Sequence, residues 1–341
     1  MPVTLRTVAT APFDGQKPGT SGLRKKVKEF QVKNYTENFV QCILDSVGPT
    51  LQGSTLVLGG DGRYFLKEAT ELIIRICAAN GVARLMIGQN GILSTPAVSS
   101  IIRSNKANGG IILTASHNPG GPENDFGIKY NCENGGPAPD QLTNKMYDLS
   151  LKIKEYKIAD CIEVDISVIG TNKFDVNGKP FVVDIIDCVD DYVTLMKEIF
   201  DFGKLKTFVS GSSKPLKMRL DGLNGVTGPY IREIFMKCLG ATEDNVVHTI
   251  PLPDFGGLHP DPNLTYAKDL VDAVTAGDYD IGAAFDGDGD RNMILGRKAF
   301  FVTPNDSLAV IADNLECIPY FVKNGIQGFA RSMPTAAALD R

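Results

Sequence analysis

The stretch Thr55-Leu56-Val57-Leu58-Gly59-Gly60-Asp61-Gly62-Arg63 decides the fold class of this chain. Its short apolar run, Thr55 to Leu58, reads as a buried strand, and the glycines after it read as a loop. The spacing then predicts a helix from Phe65 to Ala79, stopped by Asn80-Gly81. Arg84 to Ile87 is the next strand, and Thr95-Pro96 opens a second helix, with Thr95 as its cap and Pro96 in its first turn. Gly110 to Thr114 is a third strand that runs directly into Ala115-Ser116-His117-Asn118-Pro119-Gly120-Gly121. Strands alternating with amphipathic helices mean an α/β fold, whose ligands gather where loops leave the carboxyl ends of strands.

A second α/β set follows. Leu216 to Leu220 reads as a strand, Pro229 to Leu239 as a helix and Asn245 to Ile250 as a strand. Tyr266 to Thr275 reads as a helix, and Tyr279 to Phe285 as a strand ending at Asp286. The proline-rich segment from Pro251 to Pro262 is an irregular loop. A third unit begins near Asn305, which gives expected domains at 1–190, 191–304 and 305–341.

At 341 residues the chain is long for a single domain, and 43% hydrophobic with 22% charged residues is ordinary for a packed protein. The net charge of −5 and pI near 5.4 argue against a nucleic-acid partner, since phosphate-backbone binders carry a basic face. The one basic run, Arg24, Lys25, Lys26 and Lys28, reads as a solvated helix face. Seven scattered cysteines form no C-x-x-C pair, and with three histidines they make a zinc site a poor reading. No long apolar run and no signal pattern appear, so we expect a cytoplasmic protein without a membrane partner.

Chemistry concentrates in four places. In Asp286-Gly287-Asp288-Gly289-Asp290-Arg291, alternation along an extended segment would bring three carboxylates to one face. Carboxylates ~4 Å apart repel by about 4 kcal/mol per pair at an effective dielectric near 20, so the cluster needs a cation or a shared proton. Oxygen-only ligands favour magnesium, calcium or manganese over zinc. A calcium-binding EF-hand fails, because its glycine and glutamate positions hold Arg291 and Arg297. An acidic surface turn is the ordinary alternative.

Ser116 is the second feature, a weak nucleophile unless a base or metal activates it. His117 beside it points away on an extended chain, and no G-x-S-x-G elbow exists, so a hydrolase triad is not implied. A serine that merely caps a turn is the competing reading. Third, Lys17-Pro18-Gly19-Thr20-Ser21-Gly22-Leu23-Arg24 suits phosphate recognition but lacks the G-K-[ST] ending of a nucleotide P-loop. Fourth, Lys129 in Phe126-Gly127-Ile128-Lys129 is a candidate proton donor or charge neutraliser, against the default of a surface lysine.

Taken jointly, these segments resemble the α-D-phosphohexomutase superfamily, and within it the eukaryotic-type phosphoglucomutases. T-A-S-H-N-P-G-G at 114–121, D-G-D-G-D-R at 286–291 and G-T-S-G-L-R at 19–24 carry the resemblance. G-Q-N-G-I-L-S-T-P-A-V at 88–98, N-G-G-P-A-P at 134–139, H-P-D-P-N-L-T-Y at 259–266 and G-F-A-R-S-M-P-T at 328–335 support it.

The resemblance implies tandem α/β domains with mixed sheets sandwiched by helices, the third incomplete and the fourth absent. It implies a phosphoserine at Ser116, a magnesium ion held by Ser116, Asp286, Asp288 and Asp290, and acid–base roles for His117 and Lys129. Thr20, Ser21, Arg24, Ser116, Asp290 and Arg291 would bind substrate. The reaction implied interconverts glucose 1-phosphate and glucose 6-phosphate through glucose 1,6-bisphosphate, in a protein monomeric at full length. Lacking the family's later domains, the chain is expected to have little or no mutase activity alone. A catalytically silent, adhesion-associated relative is the rival, disfavoured by the intact serine and aspartates.

Overall fold

A computed structural model describes residues 3–19, 21–211 and 214–340. Its strands are β1 (Thr4–Ala9), β2 (Leu23–Lys26), β3 (Thr55–Gly60), β4 (Arg84–Ile92), β5 (Gly109–Leu113), β6 (Asp125–Cys132), β7 (Glu155–Asp160), β8 (Gly170–Val176) and β9 (Lys179–Ile186). Beyond them come β10 (Met218–Asp221), β11 (Val246–Val247), β12 (Ile281–Phe285), β13 (Asn292–Gly296) and β14 (Phe301–Val302). A seven-stranded sheet has the order β2-β6-β5-β3-β4-β9-β8. Its four central strands, β5, β3, β4 and β9, run parallel, and β6, β2 and β8 join antiparallel at the edges.

The sheet is mixed because β5–β6 and β8–β9 are consecutive strands paired directly, whereas β3, β4 and β5 are joined through helices that cross the faces. Alternate residues serve opposite cores, as strand geometry requires. Leu56, Leu58, Leu85, Ile87, Ile111 and Leu113 join the helices Tyr35–Val47 and Leu66–Ala79 on one side. Val57, Met86 and Ile112 face the helix Thr95–Ser104 on the other. That second core also takes in Val226 and Tyr230, so it is shared with the unit that follows.

The second sheet has the order β11-β10-β12-β13-β14, with β10, β11 and β12 parallel. Two expectations fail here. The strand foreseen over Asn245 to Ile250 is only Val246–Val247, because His248 adopts a left-handed φ of 48° and turns the chain out of the sheet. The helix foreseen from Pro229 to Leu239 starts earlier, at Thr227, and changes after Ile231 to a wider helical turn over Arg232–Cys238. Similarly, the basic run lies on edge strand β2 and the short helix Val27–Phe30, not on one helix face. After β14 the helices Pro304–Asp313 and Pro319–Asn324 contain no buried residue, and Val310, Tyr320, Val322 and Phe329 are exposed.

His248 Nδ1 lies 2.9 Å from the Asp221 carboxylate, and that hydrogen bond raises the imidazole above its ordinary 6.5. The folded state therefore binds the proton more tightly than the unfolded chain. The pair's contribution is whole below pH 6.5 and is lost as pH rises through the raised value. Urea midpoints measured below and above that range should fall with rising pH, and His248→Gln should flatten the fall; an unchanged slope refutes the role. Phe126, fully buried and edge-on to Phe30 (5.0 Å) and Phe65 (5.3 Å), should cost about 3–5 kcal/mol when replaced by alanine, read from the same unfolding curves. A loss below about 1 kcal/mol contradicts its place in the core.

Candidate active site

Ser116 follows the carboxyl end of β5, and its backbone is left-handed, with φ 54°. A non-glycine residue holds that conformation only when its surroundings fix it. Here the fixing groups are buried side chains. Arg63 Nε donates to both Asp61 oxygens (3.0 and 2.9 Å), its Nη2 donates to the Ser116 carbonyl (2.8 Å), and its Nη1 donates to the Asp125 carbonyl (2.8 Å). The Ser116 amide donates to Thr114 Oγ1 (2.7 Å), which in turn donates to Asp61. Neither Asp61 nor Arg63 exposes any side-chain surface. Burial pushes the Asp61 carboxyl up, while Arg63 and Thr114 pull it back down.

Asp286, Asp288 and Asp290 converge, with carboxylate oxygens within 4.8 Å of one another. They meet on a turn between β12 and β13, not by alternation along an extended segment; Gly289 has φ 77°. A Cβ on Gly287 would stand 2.6 Å from the Ser116 carbonyl, so only glycine lets the acidic turn approach the serine turn. Ser116 Oγ then donates to Asp286 Oδ2 at 3.0 Å.

Charge explains the rest. Asp286 is pushed up to about 8 by burial and by repulsion from Asp288 and Asp290. Burial works against Asp288 too, but Lys129 at 2.7 Å outweighs it and holds that carboxyl below its usual range. Thr95 Oγ1 donates to the same oxygen, Asp288 Oδ2, at 2.9 Å. The other oxygen, Asp288 Oδ1, is buried and has no partner. Three crowded carboxylates, oxygen donors only and one orphaned lone-pair site fit a hard divalent cation.

The expected cap is corrected by this geometry: Ser94, not Thr95, caps the helix, its hydroxyl accepting from the Ala97 amide at 3.1 Å, which leaves Thr95 for Asp288. His117 Nδ1 accepts from Arg291 Nη1 at 2.7 Å, placing the ring proton of the neutral imidazole on Nε2. Burial, then Arg291, lowers its affinity for a second proton. It lies 3.4 Å from Ser116 Oγ because the left-handed serine brings the neighbours together, contrary to the extended-chain expectation. With Nδ1 engaged and the serine proton on Asp286, no Ser-His-Asp triad forms.

Arg24 sits on β2 opposite Gly127, half-buried, with Nε unpartnered and its affinity for its proton lowered by burial. Ser21 is exposed in the tight turn closed between Gly19 and Gly22, and Thr20 lies outside the described residues. The structure therefore gathers Ser116, His117, Lys129, Arg291 and the three aspartates, with Arg24 beside them. Asp61, Thr95 and Thr114 were not foreseen, and Arg63 was noticed only for its loop. The signal available was an acid and a base two residues apart where a strand ends.

Breaking the buried pair should be severe: Arg63→Ala strands Asp61, costing about 3–5 kcal/mol, whereas Arg63→Met with Asp61→Leu should restore much of it. Denaturant unfolding decides, and equal stabilities for both variants refute the argument.

The description "Phosphoglucomutase/phosphomannomutase, alpha/beta/alpha domain I" matches residues 15–157, and the corresponding domain II matches residues 190–299. Phosphoglucomutase 1 of Drosophila melanogaster is 71% identical over 100% of this chain, and phosphoglucomutase-like protein 5 of Mus musculus is 53% identical over 100%. The open form of pp63/parafusin, a phosphoglucomutase from Paramecium, superposes with a TM-score of 0.93 at 48% identity, over 98% of this chain and 62% of that one. The chain spans 61% of the length of each of these two curated relatives. With both domain types in succession and an α/β architecture of mixed sheets flanked by helices, the chain belongs to the phosphoglucomutase/phosphomannomutase family.

Proposed function

We propose that this chain carries the phosphoserine and metal half of a phosphoglucomutase. The observation behind the reading is Ser116 Oγ at 3.0 Å from an acidic cluster whose Asp288 Oδ1 lacks a partner. Asp286, Asp288, Asp290 and the Ser116 phosphate would hold magnesium. When bound, that ion supplies positive charge against the oxygens of the transferring phosphoryl group. Ser116, phosphorylated, gives its phosphoryl group to the 6-hydroxyl of glucose 1-phosphate, and recovers the 1-phosphoryl group of glucose 1,6-bisphosphate after that intermediate reorients.

The chain's own groups divide the remaining tasks. Arg24, with its unpartnered Nε, and Arg291 bind phosphate oxygens, and Thr20, Ser21 and Asp290 are assigned to substrate binding with them. Lys129, the ammonium that neutralises Asp288, is the proton donor, and His117 takes up the hydroxyl proton at Nδ1 once Arg291 turns from it to phosphate. The left-handed Ser116 turns its Oγ toward Asp286, so a phosphoryl group carried there would sit against the acidic cluster.

We assign 1–190 to the serine-bearing domain, 191–304 to the metal-bearing domain and 305–341 to the start of a third; the two separate sheets support the first division. The same reading makes the protein cytoplasmic and monomeric at full length. Among the described residues no helix is long and apolar enough to cross a membrane. The silent-relative reading is disfavoured by the complete set of serine, three aspartates and lysine.

Incubation with glucose 1,6-bisphosphate and magnesium should phosphorylate Ser116, read by phosphopeptide mass spectrometry, and Ser116→Ala should remain unlabelled. Chelating the magnesium should stop labelling. A chain that never takes up phosphate at Ser116 defeats the proposal.

A further inference from the structure

Tyr230 lies in the helix Thr227–Ile231 of the second unit, well away from the reacting serine in sequence. Its ring packs edge-on against Tyr192 at 5.5 Å, inside the core shared by the two units. A buried tyrosine hydroxyl must find partners. This one donates to the Cys188 carbonyl at 2.6 Å and accepts from the Ser94 amide at 3.1 Å. Ser94 is the residue whose hydroxyl caps the helix Thr95–Ser104. The next residue, Thr95, donates twice to Asp288, from its amide to the carbonyl (2.9 Å) and from its hydroxyl to Oδ2 (2.9 Å).

We propose that Tyr230 is a positioning residue for the acidic metal loop, acting through Ser94 and Thr95 on the Asp288 carboxylate. The inference rests on the reading of Asp286, Asp288 and Asp290 as a cation site. Each connection is short and stiff. The Tyr230 hydroxyl fixes the amide of the cap residue itself; Ser94 Oγ and Pro96 make the first helical turn rigid; Thr95 then holds Asp288 Oδ2 beside Lys129. With Oδ2 doubly engaged, Oδ1 is the oxygen left for the cation. The Val226 amide, four residues before Tyr230, donates to the Gly287 carbonyl at 3.0 Å, so the same segment grips the acidic loop from its other side. Without the Tyr230 hydroxyl, the buried Ser94 amide loses its acceptor, and the start of the helix that carries Thr95 loses one of its ties to the second unit.

Manganese is the probe, titrated into the purified chain with free ion read by electron paramagnetic resonance. Tyr230→Phe should weaken binding by about fivefold, the size of one lost buried hydrogen bond. Ser104→Ala removes the 2.7 Å bond that ties the far end of the same helix to Asp191, and should bind manganese like the parent. Asp288→Asn should lose binding. Unchanged affinity in Tyr230→Phe, or an equal loss in Ser104→Ala, overturns the positioning role. Parent-like binding by Asp288→Asn overturns the cation-site reading itself, and this inference with it. Hydrogen exchange gives a second readout: Tyr230→Phe should speed exchange around Ser94 and Thr95, and unchanged protection there also counts against the role.

Discussion

The site depends on one buried ion pair. Arg63 and Asp61 leave the end of β3 fully enclosed, where a lone charge of either sign would be prohibitively costly. Their side-chain hydrogen bonds run to each other, to the Ser116 and Asp125 carbonyls and to Thr114. Through that pattern the pair specifies the turn after β5, holds Ser116 in a left-handed conformation and turns its hydroxyl toward the second unit. The Arg63 guanidinium also lies 5.2 Å from the ring of Phe255, so the proline-rich loop of the second unit closes over the same charge.

The acidic turn is organised on the opposite principle, since its charges are left partly uncompensated. Lys129 satisfies one aspartate and Ser116 hydrogen-bonds another, yet burial, and after it repulsion from Asp288 and Asp290, still drives the Asp286 carboxyl up to about 8. Such stored repulsion is released when a divalent cation enters, which makes the site a receptor for positive charge. Glycines at 287 and 289 are the geometric condition, one for close approach to the Ser116 carbonyl and one for the left-handed bend.

The parts of the fold that were legible share one property: their signal is local. The strands at Thr55, Arg84 and Gly109 and the helices Leu66–Ala79 and Thr95–Ser104 declare themselves through apolar runs, periodicity and stop residues. The elements misread were those where distant contacts override local preference. Val246–Val247 is cut short by the turn at His248, and Thr95 yields the capping role to Ser94 because a carboxylate from another sheet claims its hydroxyl.

By itself the sequence determined the alternation of strands and helices, the nearness of the three aspartates to one another and Ser116 as a residue just past the end of a strand. Those follow from neighbours along the chain, and short-range geometry is enough to express them. Only the tertiary structure decided that Ser116 meets Asp286 across 170 residues, that Lys129 neutralises Asp288, and that Arg63 and Asp61 hold the serine turn. These depend on which sheet faces which, and a hydrogen bond between residues so far apart exists only once both cores have packed.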